Sequence, residues 1–470
     1  MKRLTKTREV ILLSIIALFG LTFSATAKPS GEQLKLSVNL DEKGQQIMLI
    51  GGDMERSQDF LQDAANPQEI SDWLYRDVNF SVCRVAYDKY QEMVEGEQNL
   101  AFYDKIIESM KMLRKSNPYV EFWATLRSDY DGYGNDNNLP DWVCGYPHDS
   151  PDYFFDTEKY ARFLTDYIEL LERNGVGLSY LATGKEWGTF ITAEVAVETI
   201  KSIKKECAKR GVKVPEFVDP ASWSIKQGVR FLKDLFELKE EGLFYGFSTH
   251  DLDKKDTSEY SDFVDLATKA GYPSFADESG YGAGGRTNGE EPETMRSILG
   301  TYVNKVNFYG AGMVGELIFE PHSRGVSYET RGIYFRDGEK GRRMRSYYAM
   351  KEFVNSVVER NTMMNLEGVN PENKSFVETS VASPIEGVRV MSFANDKELT
   401  LCVINNSEKP LSGTVLSVGG SQSLGGATMR MFDIDSDIQG VVSTPKVKKN
   451  RVTIEAMPAM SIAFVRVALK

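Results

Sequence analysis

The chain has 470 residues, 41% of them hydrophobic and 26% charged, with a formal net charge of -12. That length is too great for one compact domain of the commonest size and accommodates a barrel of roughly 250 to 300 residues with an accessory unit of about 100. The acidic balance, without a basic stripe interleaved with aromatics, argues against a nucleic-acid partner and mildly against an acidic polysaccharide, and no second long apolar run follows the N-terminus to build a membrane-spanning body.

Residues 1–27 read as a secretory signal: Lys2, Arg3, Lys6 and Arg8 form a basic leader, residues 10–23 an apolar stretch, and Ala25-Thr26-Ala27 an A-x-A cleavage site. The mature chain is then expected to begin near Lys28 and to be exported to the periplasm, the cell surface or the medium. No cysteine lies near that site, so a lipid anchor is not indicated. Within residues 28–45, the stretch 34–40 reads as a strand that pairs into a sheet formed far downstream.

From 46 to 360, short apolar, β-branched runs alternate with amphipathic segments of helical length, the pattern of repeated βα units. The strand candidates are 46–52, 80–87, 120–126, 177–183, 216–219, 244–249, 273–277 and 312–318, and these eight fit a closed (β/α)8 TIM barrel. Helices are predicted over 101–115, 157–174, 193–210, 225–240, 258–270, 293–309 and 343–360. A doubly wound open sheet is the competing α/β fold, but no G-x-G-x-x-G follows the first strand. From 361 to 470 the pattern changes to alternating strands at 388–393, 399–405, 413–418, 428–432, 452–454 and 461–467, an accessory antiparallel β-sandwich. Cys83, Cys144, Cys207 and Cys402 show no C-x-x-C spacing and no paired histidine, so neither a zinc site nor another metal or cofactor is expected. Cys83 and Cys402 lie in strand-like apolar runs and read as core thiols.

Active sites of such barrels lie at the C-terminal ends of the strands, so polar residues just after each apolar run are the candidates. The fourth run ends in Thr183-Gly184-Lys185-Glu186-Trp187 and the seventh in Asp277-Glu278-Ser279-Gly280-Tyr281, each a carboxylate with an aromatic close behind. Two such carboxylates facing each other across a barrel mouth meet the requirement of glycoside hydrolysis, one protonating the departing oxygen and one attacking the anomeric carbon. Asp277 is a rival for the second role, but alternation along a strand aims it away from Glu278.

At these residues the chain resembles glycoside hydrolase family 30. Gly44-Gln45-Gln46-Ile47 running into Gly51-Gly52-Asp53-Met54-Glu55 is similar to that family's opening strand and glycine-rich turn, and Val82-Cys83-Arg84-Val85 resembles its second strand. Residues 123–142 occupy its aromatic segment, Thr249-His250 its strand-six histidine, and Ser346-Tyr347-Tyr348-Ala349-Met350 its last barrel helix. The resemblance implies a barrel with a β-sandwich completed from before the barrel. It also implies Glu186 as general acid/base, Glu278 as nucleophile and retention of configuration. The implied substrates are β-linked: β-1,6-glucan or galactan, xylan, β-glucosides or β-xylosides. One departure stands out. The related barrels carry Asn immediately before the acid/base, contacting the sugar 2-hydroxyl, whereas this chain has Lys185, whose charge lowers the pKa of an adjacent acid.

Secondary candidates follow the same strand-end logic. Arg84 contacts either a catalytic carboxylate or sugar hydroxyl, or else forms a structural ion pair, and His250 is expected to line the cleft. Trp123, Trp142, Trp187 and Tyr281 are candidate sugar platforms, whereas Trp73 and Trp223 read as helix-packing residues. Glu316, after the eighth strand, is the substitute if Glu278 proves structural, and residues 128–150 read as a loop over the site. A glycan-binding or surface-adhesion protein without turnover is the alternative function, supported by Lys185. An oxidoreductase or metal-dependent hydrolase lacks a nucleotide fingerprint or a histidine-rich ligand set. The oligomeric state is not legible.

Overall fold

The computed structural model describes residues 31–127, 139–145, 150–186, 191–250, 257–280, 286–287, 295–324, 327–328, 331–358, 374–381 and 385–470. Eight parallel strands close into a barrel in chain order: Leu49–Asp53, Val82–Tyr87, Glu121–Leu126, Tyr180–Leu181, Glu216–Ser222, Gly246–His250, Ser274–Ser279 and Gly315–Phe319. The last closes on the first in register, Gly315 beside Leu49 and Phe319 beside Asp53.

Alternation along the strands gives the barrel interior two characters. The lower layer is apolar, with Leu49, Val82, Trp123, Val218, Phe275 and Leu317 clustered together. Two residues further along three of those strands stand Arg84, Thr125 and Asp277, all fully buried, so the interior turns polar toward the C-terminal ends.

The helices follow their sequence periodicity. In Ala193–Arg210 the buried residues Ala193, Ala196, Val197, Ile200, Ile203 and Cys207 form one stripe, and the Thr192 hydroxyl accepts from the Val195 N–H at its start. Gly211 ends it at φ 69°, the left-handed conformation that glycine adopts without penalty. Asp156 and Ser224 cap Thr157–Arg173 and Ile225–Leu238 in the same way. Sequence periodicity did not reveal Pro67–Asp72, which continues into a π-helical turn, Trp73–Asp77. It is short, and the π widening spoils the 3.6-residue repeat.

Ten further strands form a second sheet that includes Glu32–Gln46 from before the barrel. That strand pairs antiparallel with Ser375–Val381 but parallel with Leu411–Gly419, so the sheet is mixed at this one seam instead of antiparallel throughout. Its two edge strands, Val441–Ser443 and Lys446–Lys448, are separated in sequence only by Thr444 and Pro445. The sheet therefore curls over a core containing Leu34, Leu36, Val38, Leu401, Val403, Val465 and Val467. The opposite faces of the same strands present Phe393, Cys402, Ile404 and Phe464 to the barrel helices, with Phe464 against Tyr302 and Phe393 against Tyr309 at ring-centroid distances of 5.5 Å. Strand Glu398–Asn405, apolar on both sides, thus joins the sandwich to the barrel. All four cysteines are buried, and no disulfide joins them.

Candidate active site

Glu186 follows the shortest barrel strand, and its loop is pinned by neighbours. Asp219 accepts from the Thr183 N–H at 2.8 Å and the Thr183 hydroxyl at 3.1 Å, and Thr125 donates to the Gly184 carbonyl at 3.0 Å. The Glu186 N–H then donates to the Ala221 carbonyl at 2.8 Å, bridging to the end of strand five. Glu186 sits at φ 59°, a left-handed conformation that costs a non-glycine residue about 1 kcal/mol or more and that clusters at functional sites.

Glu278 comes to the same place through an irregularity. Thr249 pairs with Ala276 but His250 pairs with Glu278, so strand seven carries one extra residue against strand six. This bulge corrects the expectation for Asp277: both Asp277 and Glu278 belong to the site's charge network. Arg84 Nη1 lies 3.3 Å from Asp277 Oδ2, Arg84 Nη2 3.5 Å from Glu278 Oε2, and Arg84 Nε 3.5 Å from Asp53 Oδ1. Ser248 donates to Asp277 at 3.0 Å. Arg84 therefore acts as an internal countercharge to three carboxylates from strands one and seven.

Lys185 and His250 complete the network. Lys185 Nζ is 2.7 Å from Glu55 Oε1 and 3.2 Å from Glu278 Oε2, with all three side chains buried. His250 Nδ1 stands 3.4 Å from both Glu186 Oε1 and Glu278 Oε2, and its Nε2 3.8 Å from Asp277 Oδ1. Burial works to raise the Glu186 carboxyl, but the Lys185 ammonium and the nearby His250 ring outweigh it and hold the group below the usual carboxylate range. Burial works against charge on His250, yet Glu278 and Asp277 raise its pKa. Burial lifts the Asp53 carboxyl to about 7 against the pull of Arg84.

One carboxylate oxygen of Glu186, one of Glu278 and a ring nitrogen of His250 lie within 4.8 Å of one another. Such a trio has the atoms for a metal site, but its Glu278 oxygen already receives Lys185 and Arg84. A divalent cation bound there would stand beside two fixed positive charges, so the donor set does not suit one.

The structure brings Arg84, Lys185, Glu186, His250 and Glu278 into one cluster, and separates three other candidates from it. Trp123 is no sugar platform: it fills the lower barrel layer against Tyr180 and Phe275, each 5.7 Å away between ring centroids. Its position inside the strand, three residues before the end, puts it below the mouth. Trp142 packs away from the cluster, its Nε1 donating to the Glu92 carbonyl at 2.8 Å and its ring lying under Arg162 and beside Phe163. Glu316 turns to the outer side of the barrel, where it pairs with Lys305 and accepts from Tyr309 at 3.1 Å and Ser279 at 2.5 Å, so it cannot replace Glu278. Trp187, Tyr281 and most of the 128–150 segment lie outside the described residues.

Residues that sequence reading missed are Glu55 and Asp53. Glu55 stands just past the first strand, so the strand-end filter applied to the carboxylates also reaches it. Trp223 follows Ser222, whose backbone bridges to Glu186, and is 37% exposed.

No family model and no curated protein sequence matches the chain. Its fold matches solved structures. A glycoside hydrolase family 30 subfamily 8 xylanase from Clostridium acetobutylicum superposes with a TM-score of 0.66 at 14% identity, covering 92% of this chain and 99% of that one. The catalytic domain of a family 30 xylanase from Talaromyces cellulolyticus gives 0.67 at 13% identity over 93% and 100%, and an endo-beta1,6-glucanase gives 0.65 at 12% identity over 92% and 94%. At these identities the likeness is one of fold: the chain has the barrel-and-sandwich glycosidase fold of family 30 structures.

Proposed function

We propose that this protein is an exported retaining glycoside hydrolase acting on a β-linked glycan by double displacement, with Glu186 as acid/base and Glu278 as nucleophile. The observation that carries the reading is the pair of buried strand-end carboxylates whose oxygens approach within 4.8 Å. Retaining enzymes hold their two carboxyls about 5–5.5 Å apart, whereas inverting enzymes need roughly 6.5–9.5 Å to admit a water. In this reading Glu278, steadied by Arg84 and Lys185, attacks the anomeric carbon while Glu186 protonates the leaving oxygen. Glu186 then deprotonates the water that releases the sugar. Export rests on the leader and A-x-A site of residues 1–27. Among the described residues no helix is long and apolar enough to cross a membrane. Xylan and β-1,6-glucan head the substrate classes, since proteins of the same fold are named for acting on them.

A second reading, glycan binding without turnover, draws on one specific observation: an ammonium 3.2 Å from the proposed nucleophile, beside an acid/base held ionised. Sugar release from β-glucans, β-galactans and xylans by the wild type, Glu186→Gln and Glu278→Gln decides between them. Hydrolysis that both substitutions abolish supports the hydrolase, and binding without release across the panel supports the second reading.

A further inference from the structure

Lys185 is a fully buried cation whose nearest countercharge comes not from the proposed catalytic pair but from Glu55, 130 positions earlier. A buried ammonium or carboxylate left alone carries a desolvation penalty of several kcal/mol, so each needs the other in place. The contacts divide the ammonium between two acids, 2.7 Å to Glu55 and 3.2 Å to Glu278. Glu186 is the third carboxylate that faces it, and Arg84 the cation that opposes it. Glu55 has Arg56 Nε 3.8 Å away as its other cation and Asp53 and Asp88 as acidic neighbours. Glu186 faces Lys185, His250 and Glu278. Asp53 also faces the ammonium, with Arg84 as its stronger cation, and Glu55 is the acid outside the catalytic pair that stands at ion-pair distance from it.

Resting on the hydrolase reading, we infer that Glu55 is a positioning residue for the reaction: it holds the Lys185 ammonium partly away from Glu278 and Glu186, and so sets how much positive charge the catalytic pair feels. Without Glu55 the same ammonium falls wholly to the catalytic carboxylates. Glu278 then loses nucleophilicity to a tighter ion pair, and Glu186 releases its proton more readily, which weakens it as the acid of the first step.

The test compares the pH profile of kcat/KM, and the titration of the Glu186 side-chain carboxyl by carbon-13 NMR, in wild type, Glu55→Gln and the double variant Glu55→Gln/Lys185→Asn. Glu55→Gln is expected to move both the alkaline limb and the Glu186 titration to lower pH by roughly one unit, the size of effect one nearby charge exerts on a carboxyl. The double variant moves both back, to or above the wild-type position. An unmoved Glu186 titration in Glu55→Gln, or equal shifts in single and double variants, overturns the inference. Should Glu55→Gln fail to fold, Glu55→Asp carries the test, since its carboxylate is withdrawn by one methylene. A smaller downward shift supports the role and no shift overturns it. The NMR titration needs no turnover, so a wild type that cleaves nothing sinks the hydrolase reading while the role of Glu55 is still decided.

Discussion

Replacing Glu316 by Gln separates a strand-end carboxylate that does chemistry from one that holds the barrel to its helices. Glu316 is fully buried, accepts hydrogen bonds from Ser279 and Tyr309, and pairs with Lys305, itself 2% exposed. An amide keeps the two hydroxyl contacts but leaves the ammonium without a countercharge. Breaking one side of a buried ion pair costs about 3–5 kcal/mol. The rings of Tyr302, Phe308 and Phe353, with centroids 5.9, 5.9 and 5.2 Å from Lys305 Nζ, surround the ammonium before and after the change and keep it from being wholly uncompensated, which sets the cost toward the lower end of that range. A loss of about 3 kcal/mol is therefore expected in urea unfolding, read as a lower midpoint at unchanged slope. The folded variant should keep kcat/KM within about tenfold of wild type. Adding Lys305→Met removes the stranded charge and restores most of the stability. A Glu316→Gln protein of wild-type stability whose kcat falls by orders of magnitude would refute this placement, as would a double variant no more stable than the single one.

Trp123→Ala should destabilise by about 3–5 kcal/mol through the cavity left in the lower barrel, and KM of the protein that folds should be unchanged; a raised KM at full stability would return Trp123 to the cleft. Trp223→Ala should alter stability by less than about 0.5 kcal/mol yet raise KM severalfold, and an unchanged KM across cleaved substrates would exclude it as a sugar platform. Because Glu186 is held below the ordinary carboxylate range, the alkaline limb of kcat/KM is expected on the acid side of neutrality, and Lys185→Met should move it upward; a wild-type limb above pH 7 would contradict the charge assignment. Stability should follow the same signs. The depressed Glu186 pKa contributes above its unfolded value of about 4.3 and is lost as pH falls through the folded one, whereas the raised His250 pKa contributes below about 6.5 and is lost as pH rises through the folded one. Melting of His250→Gln against pH should therefore lack the alkaline decline of wild type.

The barrel was legible because its strands and helices carry distinct periods, and because inward positions are apolar at one end and polar at the other. That Glu186 and Glu278 would meet was legible for the same reason: each stands where a strand ends at the mouth. What could not be read is register and pairing over distance. The extra residue in strand seven, which brings Asp277 and Glu278 into one network, leaves no mark in the sequence, and alternation alone pointed the other way. Trp123 looked like a platform because its depth along strand three depends on how that strand is staggered in the barrel. Lys185 looked like an isolated departure because its partner Glu55 lies 130 positions away and meets it only when strands one and four share a barrel. The parallel seam beside Glu32–Gln46 was equally hidden, since period-two alternation is the same for either strand direction.

The claim on which the account turns is that Glu278 attacks the anomeric carbon. It is tested most directly by treating the protein with a 2-deoxy-2-fluoroglycoside, matched to the cleaved substrate and carrying a good leaving group, and then mapping the adduct by peptide mass spectrometry. One sugar per chain is expected, attached at Glu278, and none on Glu278→Gln. An adduct on Asp277 or Glu316, or stoichiometric hydrolysis of the natural glycan with inversion at the anomeric carbon, would contradict it.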